Sequence, residues 1–175
     1  MRWLPFQLNP DLPESGIPRE EYVARKFGAR GKGVNERVTM AGRQVGIPFA
    51  YEKMKVQPNT LNAHRLMLFA ERTGKQDELA EELFRAHFIE GANLTDRDTL
   101  ADIAGRVGLD RKAAFDYISG DTDREQISRA DVEARSAGIG GVPFFIFNRK
   151  VGVSGAQDPE MLLDAMEQAL DDSDK

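Results

Sequence analysis

Pro143 lies in the most strand-prone segment of the chain and limits what that segment can form more than any other residue does. Residues 142–147 are Val-Pro-Phe-Phe-Ile-Phe, so every residue except the proline is β-branched or aromatic. Proline has no N–H for a strand ladder, and it forces the preceding residue into an extended conformation. Pro143 therefore belongs at the first residue or on an edge of a strand.

The residues that follow Pro143 predict a β-hairpin and a helix. Asn148-Arg149-Lys150 supplies a short turn, and residues 151–154 predict the second strand. Asp158 and Pro159 favour a helix start, and the apolar stripe of that helix comprises Leu162, Leu163, Met166 and Leu170. A helix, a glycine pair, a Val-Pro step, a hairpin and a capped C-terminal helix, in this order, are typical of the second half of a thioredoxin-like fold.

Upstream of this segment, the sequence predicts one strand and a long helical region. Residues 2–8 alternate with a period of about two and lead into a turn-rich stretch, which predicts a strand and a loop. From about residue 19 to residue 137 the apolar spacing is helical. Candidate helix caps in this region are Asn59 or Thr60, Thr95, Asp110 and Thr122. The predicted fold class is therefore α/β.

Composition excludes several classes of protein. The 175 residues are 41% hydrophobic and 30% charged, as in ordinary globular domains. The net charge is −5 and the pI is about 5.2, so no overall basic field attracts nucleic acid or anionic lipid. No apolar run reaches the length of a membrane span, and the first residues do not resemble a signal peptide. We predict a cytoplasmic protein with no nucleic-acid and no membrane partner.

The chain contains no cysteine. This excludes a structural disulfide, a cysteine zinc site and a cysteine nucleophile within these residues. The two histidines, His64 and His87, are too few for a histidine-rich metal site, and their positions favour helix capping or packing over catalysis. The sequence therefore predicts no catalytic residue and no metal site.

Several segments resemble the DsbA family, in particular its FrnE-like branch. That branch is related to 2-hydroxychromene-2-carboxylate isomerases and to kappa-class glutathione transferases. The segments that resemble it are Gly141–Phe145 with Val153–Gln157, Trp3–Asp11, Pro58–Arg65 and Leu83–Ala86. They follow the order expected for the family and extend the resemblance from residue 1 to about residue 170.

The resemblance implies a thioredoxin-like (DsbA-like) sheet with a large helical insertion at about residues 19–118, within one domain that spans residues 1–175. It implies a thiol–disulfide oxidoreductase in which the Val142–Pro143 bond is cis and faces the reactive group. Val142 would then pair with an extended thiol or disulfide peptide as an added strand. The residues that the resemblance implies in substrate binding are Val142, Pro143, Ser154, Ala156 and Gln157.

The turn from Ser154 to Gln157 also bears on the choice of ligand. Because it precedes a helix, its backbone N–H groups would point toward a bound carboxylate. Glutathione-using relatives hold the γ-glutamyl end at the equivalent turn, usually with an acidic residue where Gln157 stands. Gln157 can accept a hydrogen bond from an ammonium group but lacks the charge, so glutathione is a candidate ligand and no cofactor is assigned. A simple helix-capping turn is the alternative.

The chain departs from the family at its start. Family members begin with a strand, a Cys-x-x-Cys (or a serine in the isomerase and transferase branches) and a helix, and this N-terminal βα unit is missing here. By the length of one such unit, roughly 30–40 residues are absent. Either the reading frame was started too late, or the chain truly lacks the segment. We favour the first, because Trp3–Phe6 predicts an interior strand and nothing replaces its lost neighbour.

Three functions stay open. The first is thiol–disulfide exchange by family, with this chain inactive because it has no cysteine. The second is a glutathione-dependent isomerase or transferase of the 2-hydroxychromene-2-carboxylate isomerase type. The third is a non-catalytic module that binds thiols or peptides. A dimer is a further expectation, since a second copy would cover an unpaired strand.

Overall fold

The computed structural model describes residues 1–28 and 31–171. The chain divides into two compact units, Met1–Ser128 and Arg129–Lys175. Residues 29–30 and 172–175 of the predicted domain lie outside the described residues, and the single domain with an insertion at about 19–118 stays a prediction.

The described residues form eight α-helices and four short strands. The helices are α1 (Arg19–Phe27), α2 (Gly31–Gln44), α3 (Leu61–Glu71), α4 (Gln76–Arg85), α5 (Arg97–Arg106), α6 (Arg111–Ser119), α7 (Arg124–Ser136) and α8 (Pro159–Asp171). The strands are β1 (Ile17–Pro18), β2 (Val56–Gln57), β3 (Phe144–Phe147) and β4 (Val151–Ser154). None of the helices within the described ranges is long and apolar enough to cross a membrane.

The strand predicted over residues 2–8 is wrong, because this segment joins no strand ladder. At Trp3 the side chain of Gln76, and not a neighbouring strand, hydrogen-bonds to the backbone. The N–H of Trp3 donates to Oε1 of Gln76 at 2.9 Å, and Nε2 of Gln76 donates to the carbonyl oxygen of Trp3 at 3.3 Å. The indole N–H of Trp3 also donates to Asp77, at 2.6 Å. Alternation along the sequence predicts an extended segment, but it does not show what pairs with the backbone.

The first sheet consists of β1 and β2, which the sequence did not predict. They are antiparallel, with Ile17 opposite Gln57 and Pro18 opposite Val56. Gly16 leads into this pair at φ +70°, and a Cβ there would lie 2.5 Å from the carbonyl oxygen of Gln57. Only glycine fits so close to the opposite strand. Strands of two residues carry too little periodicity to be recognised from sequence.

The core of the first unit is formed by α3 to α6. Its largest fully buried apolar side chains include Leu66, Leu79, Leu100, Ile103 and Ile118. The cap predicted at Asp110 is confirmed, because its side chain accepts from the N–H of Ala113 at 2.8 Å. At α3 the N-cap residue is Thr60, which makes no side-chain cap bond, and the side chain of Asn59 accepts from the N–H of Leu61 at 2.9 Å. The cap predicted at Thr95 is wrong, because the carboxylate of its neighbour Asp96 accepts from the N–H of Thr99 and caps α5 instead.

A fully buried arginine joins α3 to the end of α6. The Arg65 guanidinium donates to the carbonyl oxygens of Tyr117 at 2.8 Å, Ile118 at 2.9 Å and Gly120 at 2.7 Å. It also donates to the carbonyl oxygen of Thr122 at 2.9 Å and to the side chain of Asn62 at 2.8 Å. Helices leave their last carbonyls unpaired, and here one side chain satisfies them.

Glu14 fixes the N-terminal loop to the helices of the same unit. Its carboxylate accepts from Arg97 at 3.0 Å, from Arg124 at 3.3 Å and from the side-chain amide of Asn62 at 3.1 Å. The hydrogen bond from Arg97, followed by that from Asn62, holds the pKa of Glu14 below its usual value. The folded state therefore favours the charged carboxylate more than the unfolded chain does.

We expect Glu14→Gln to lower the free energy of unfolding by about 0.5–1 kcal/mol at neutral pH, since the carboxylate is partly exposed and solvent screens it. Because the pKa of Glu14 is lower in the folded state, its carboxylate stabilises the folded protein at pH values above the unfolded pKa of about 4.3. This stabilisation is lost as the pH falls through the folded pKa. Urea unfolding of both proteins at neutral and at acid pH measures the difference. A difference that does not shrink in acid would contradict this assignment.

The second unit contains the hairpin of β3 and β4, with α8 packed against it. The strands are antiparallel, with Phe144 opposite Ser154 and Phe147 opposite Val151, which confirms the predicted hairpin. At the turn, the side-chain amide of Asn148 donates to the carbonyl oxygen of Ala169 in α8 at 3.1 Å. Helix α8 begins at Pro159, as predicted.

Most of the apolar stripe predicted on α8 lies on the exposed side of the helix. Leu163, Met166 and Leu170 are exposed, and Leu162 alone is partly buried. The buried residues of α8 are two alanines, Ala165 and Ala169. The helix rests on the hairpin through its small side chains, so the larger apolar residues lie on a neighbouring face.

Candidate functional site

The Val142–Pro143 step stands at the start of the hairpin. The peptide bond is cis, which is the geometry that the resemblance implied. The Val142 side chain is 48% exposed. Within residues 1–28 and 31–171, no hydrogen-bond partner is found for its backbone N–H or C=O. Val142 therefore offers one donor and one acceptor to a ligand.

The hairpin brings the five predicted binding residues to one end of the second unit. The carbonyl oxygen of Pro143 accepts from the N–H of Gly155 at 2.8 Å, and Phe144 lies opposite Ser154. This places Val142 and Pro143 beside the turn that holds Ser154, Ala156 and Gln157. Their role in binding stays a prediction, and their juxtaposition is a property of the fold.

Gly155 is a site residue that the sequence analysis did not single out. It adopts φ +87°, in the left-handed region, and this conformation turns the chain from β4 toward α8. Its N–H makes the bond to Pro143 that joins the two halves of the site. A glycine between a predicted strand and a predicted helix was the available signal.

The Gln157 side chain is used within its own turn. Its Nε2 donates to the carbonyl oxygen of Ser154 at 2.8 Å. The amide group therefore closes the turn that precedes α8.

One edge of β3 is open in the part of the chain that the structure describes, where β4 is its sole partner. Hydrogen-bonded and non-hydrogen-bonded pairs alternate along an antiparallel ladder. Because Pro143 bonds to Gly155, the backbone groups of Phe144 and Ile146 point away from β4. The site thus presents alternate backbone donors and acceptors along one strand edge, as peptide binding by strand addition requires.

The site carries no sulfur nucleophile. The sequence contains no cysteine, and the described residues hold no cluster of acidic or histidine side chains suited to a metal ion. In the first unit, His87 is buried against Phe88, and burial lowers the pKa of its imidazole. His87 is thus a packing residue, as predicted.

A β-hairpin that begins at a Val-Pro step, a helix packed on that hairpin and a separate helical unit define a thioredoxin-like protein. The model of the DSBA-like thioredoxin domain matches residues 1–167. The chain belongs to this family.

Two known proteins are similar to this chain. A probable DsbA oxidoreductase from Streptomyces coelicolor has a crystal structure that matches with a TM-score of 0.85 at 24% identity, over 94% of this chain and 73% of its own. Protein YwbO of Bacillus subtilis, described as uncharacterized, is 26% identical over all of this chain and 82% of its own length. The predicted DsbA-like fold is thereby confirmed.

Proposed function

We propose that this chain is the substrate-binding part of a thiol–disulfide oxidoreductase. The carrying observation is the unpaired backbone of Val142, which lies two residues before β3 and its open edge. An extended peptide that contains a cysteine pairs with this edge as an added strand. The turn at Ser154–Gln157 provides a second contact.

The contribution of these residues is to hold the substrate. The N–H of Val142 donates to the peptide and its C=O accepts from it, so that the peptide sulfur is fixed in line for exchange. In that exchange a thiolate attacks the substrate disulfide, a mixed disulfide forms, and the other substrate sulfur leaves as a thiolate. The attacking thiolate belongs to a cysteine outside these 175 residues, because none is present within them.

The two alternatives make different demands on the site. A glutathione-dependent isomerase or transferase needs the Ser154–Gln157 turn for its ligand, but the turn itself uses the Gln157 amide nitrogen. A binding module needs only the strand edge. A serine in an upstream segment would support the first alternative, and a Cys-x-x-Cys would exclude it. The cytoplasmic location, the FrnE-like branch and a dimer remain predictions from the sequence.

We expect no turnover in an insulin-reduction assay with the 175-residue chain and dithiothreitol, because it has no sulfur nucleophile. A version extended by the in-frame upstream sequence should reduce insulin if that sequence encodes Cys-x-x-Cys. Turnover above the dithiothreitol background by the 175-residue chain would refute the proposal.

The strand edge can be tested without any redox chemistry. A reduced and alkylated insulin B chain should slow hydrogen exchange at the Val142 amide, because that N–H becomes bonded. The exposed amide of Gly140 serves as the control and should not change.

Ile146→Pro removes one outward N–H from the same edge and should weaken binding of this peptide by about tenfold, the effect of losing about one hydrogen bond. Ile146→Ala keeps the N–H and is the matched control for the lost side chain. Unchanged affinity in Ile146→Pro, together with an unprotected Val142 amide, would show that the peptide does not add to β3.

A further inference from the structure

His87 lies in a π-helical turn, Ala86–Glu90, a rare element that is frequent at functional sites. Its side chain is 8% exposed. Nδ1 of the ring donates to the carbonyl oxygen of Ala92 in a long hydrogen bond of 3.4 Å, and the ring packs edge-on against Phe88, with 4.8 Å between the centroids. The site suits a neutral imidazole, because one N–H finds an acceptor and the ring packs against an apolar neighbour.

The π-helical turn holds the segment that joins α2 to β2, which we call the connecting segment (residues 45–55). The carbonyl oxygen of Phe88 accepts from the N–H of Ala50 at 2.8 Å. Nζ of Lys53 donates to the next carbonyl oxygen of the turn at 3.2 Å. The position of the connecting segment therefore depends on the turn that contains His87.

Aromatic rings extend this contact to α2. The ring of Phe88 packs edge-on against Phe49 and Tyr51, at 5.8 Å and 6.3 Å between the centroids. Phe49 in turn lies against Gly42 in α2, where a Cβ would be 2.5 Å from the Phe49 ring. A chain of contacts thus runs from the π-helical turn through Phe49 to the end of α2.

The cations near His87 oppose a further positive charge. Arg19, at the start of α1, lies over the ring of Tyr51 at 5.6 Å. Burial lowers the pKa of His87 most, and the Arg19 guanidinium lowers it further. Lys53 is a second cation on the connecting segment, and Tyr51 stays neutral because burial raises its pKa.

The carboxylates on the surrounding elements are paired or exposed. Glu90, on the turn itself, and Glu82, in α4, each pair with two arginines. The Glu52 side chain is exposed. A protonated His87 would also carry a second N–H, on Nε2, for which no acceptor is found in the described part of the chain. Charging this buried ring is therefore unfavourable.

We propose that protonation of His87 detaches the connecting segment from the π-helical turn and frees the end of α2. In the detached form the imidazolium reaches water, whereas in the closed form it stays buried beside cations. Because the closed form favours the neutral ring, its stability falls as the pH drops below the unfolded pKa of about 6.5, until the folded pKa is reached. This inference does not depend on the β3 edge or on the proposed redox function.

Hydrogen exchange at the Ala50 amide measures the detachment, because this N–H donates to Phe88. Its protection factor, which corrects for the intrinsic exchange rate, should fall several-fold between about pH 7.5 and about pH 5.5, with a limit of about tenfold per pH unit. Ala114 is the control amide. It is fully buried in α6, donates to the carbonyl oxygen of Asp110 at 2.9 Å and should keep its protection.

Three variants assign the effect to the imidazole. His87→Gln should remove the pH dependence at Ala50, because glutamine does not titrate. His64→Gln replaces the other histidine of the chain and should keep the loss, so it is the matched control. Arg19→Gln should make the loss smaller, because one of the groups that oppose the charged ring is gone. Circular dichroism verifies that each variant is folded.

An NMR titration of the unmodified chain tests the same proposal without any variant. The His87 imidazole should titrate at lower pH than a free histidine does. Titration in the ordinary range would overturn the proposal, and so would protection at Ala50 that does not change with pH or a loss that persists in His87→Gln. An equal loss at Ala114 would show that acid unfolds the whole unit, which also contradicts a local detachment.

Discussion

Replacing Arg65 by methionine should lower the free energy of unfolding by about 3–5 kcal/mol. The substitution keeps an unbranched side chain but removes every donor that the end of α6 uses, at Tyr117, Ile118 and Gly120. Each buried carbonyl left without a donor costs about 1–3 kcal/mol, and several are affected at once. Urea unfolding followed by circular dichroism measures the loss.

Arg72 provides the control for this prediction. Both guanidinium groups lie over the ring of Tyr117, at 5.4 Å for Arg65 and 5.3 Å for Arg72. Arg72 differs in that its side chain is 55% exposed and pairs with Asp123. Arg72→Met should therefore cost less than about 1 kcal/mol.

The lysine variant separates charge from geometry. Arg65→Lys keeps the positive charge, but its ammonium has three donors on one atom and cannot reach acceptors that surround a planar guanidinium. It should recover only part of the loss seen with methionine. A methionine variant as stable as the unmodified chain would show that water replaces the guanidinium at the end of α6.

The second large effect is expected for Gly91→Ala, which should destabilise the protein by about 3 kcal/mol. Gly91 ends the turn of residues 86–90 at φ +76°, where an L-residue costs about 1–2 kcal/mol. A Cβ there would lie 2.5 Å from Cβ of Lys53 and 2.7 Å from its carbonyl carbon. Relieving such an overlap against backbone adds about 1–3 kcal/mol.

Gly108 separates the cost of the backbone conformation from the cost of the contact with Lys53. It follows α5 at φ +81°, but a Cβ there would meet nothing within 4 Å. Gly108→Ala should therefore cost only the backbone contribution of about 1–2 kcal/mol. Equal destabilisation by the two substitutions would mean that the contact with Lys53 relaxes freely.

The candidate site could be predicted from the sequence more fully than the buried contacts of the first unit could. Proline, glycine and turn residues have local conformational effects, so the hairpin and the start of α8 at Pro159 followed from sequence. Arg65 did not follow, because its acceptors lie more than fifty residues away and are backbone atoms. Residue identity gives no sign of such partners.

Residues 2–8 and helix α8 show what periodicity leaves undecided. Apolar and polar residues alternate over residues 2–8 as in a strand, but the side-chain amide of Gln76 hydrogen-bonds to the backbone N–H and C=O of Trp3. In α8, the predicted apolar stripe includes Leu163 and Leu170, but the residues that are buried are the small Ala165 and Ala169. A periodic pattern identifies the faces of an element, but contact with other elements selects the face that is buried.

The sequence by itself determined the family, the hairpin at Pro143 and the absence of a sulfur nucleophile from these 175 residues, because each depends on local residue chemistry. The tertiary structure alone decided that Gly155 joins Pro143 to the Ser154–Gln157 turn, that the outer edge of β3 is open, and that α8 exposes its larger apolar residues. These properties depend on which backbone groups and faces find partners across the fold, and pairing between distant residues is not encoded in any short stretch of the chain.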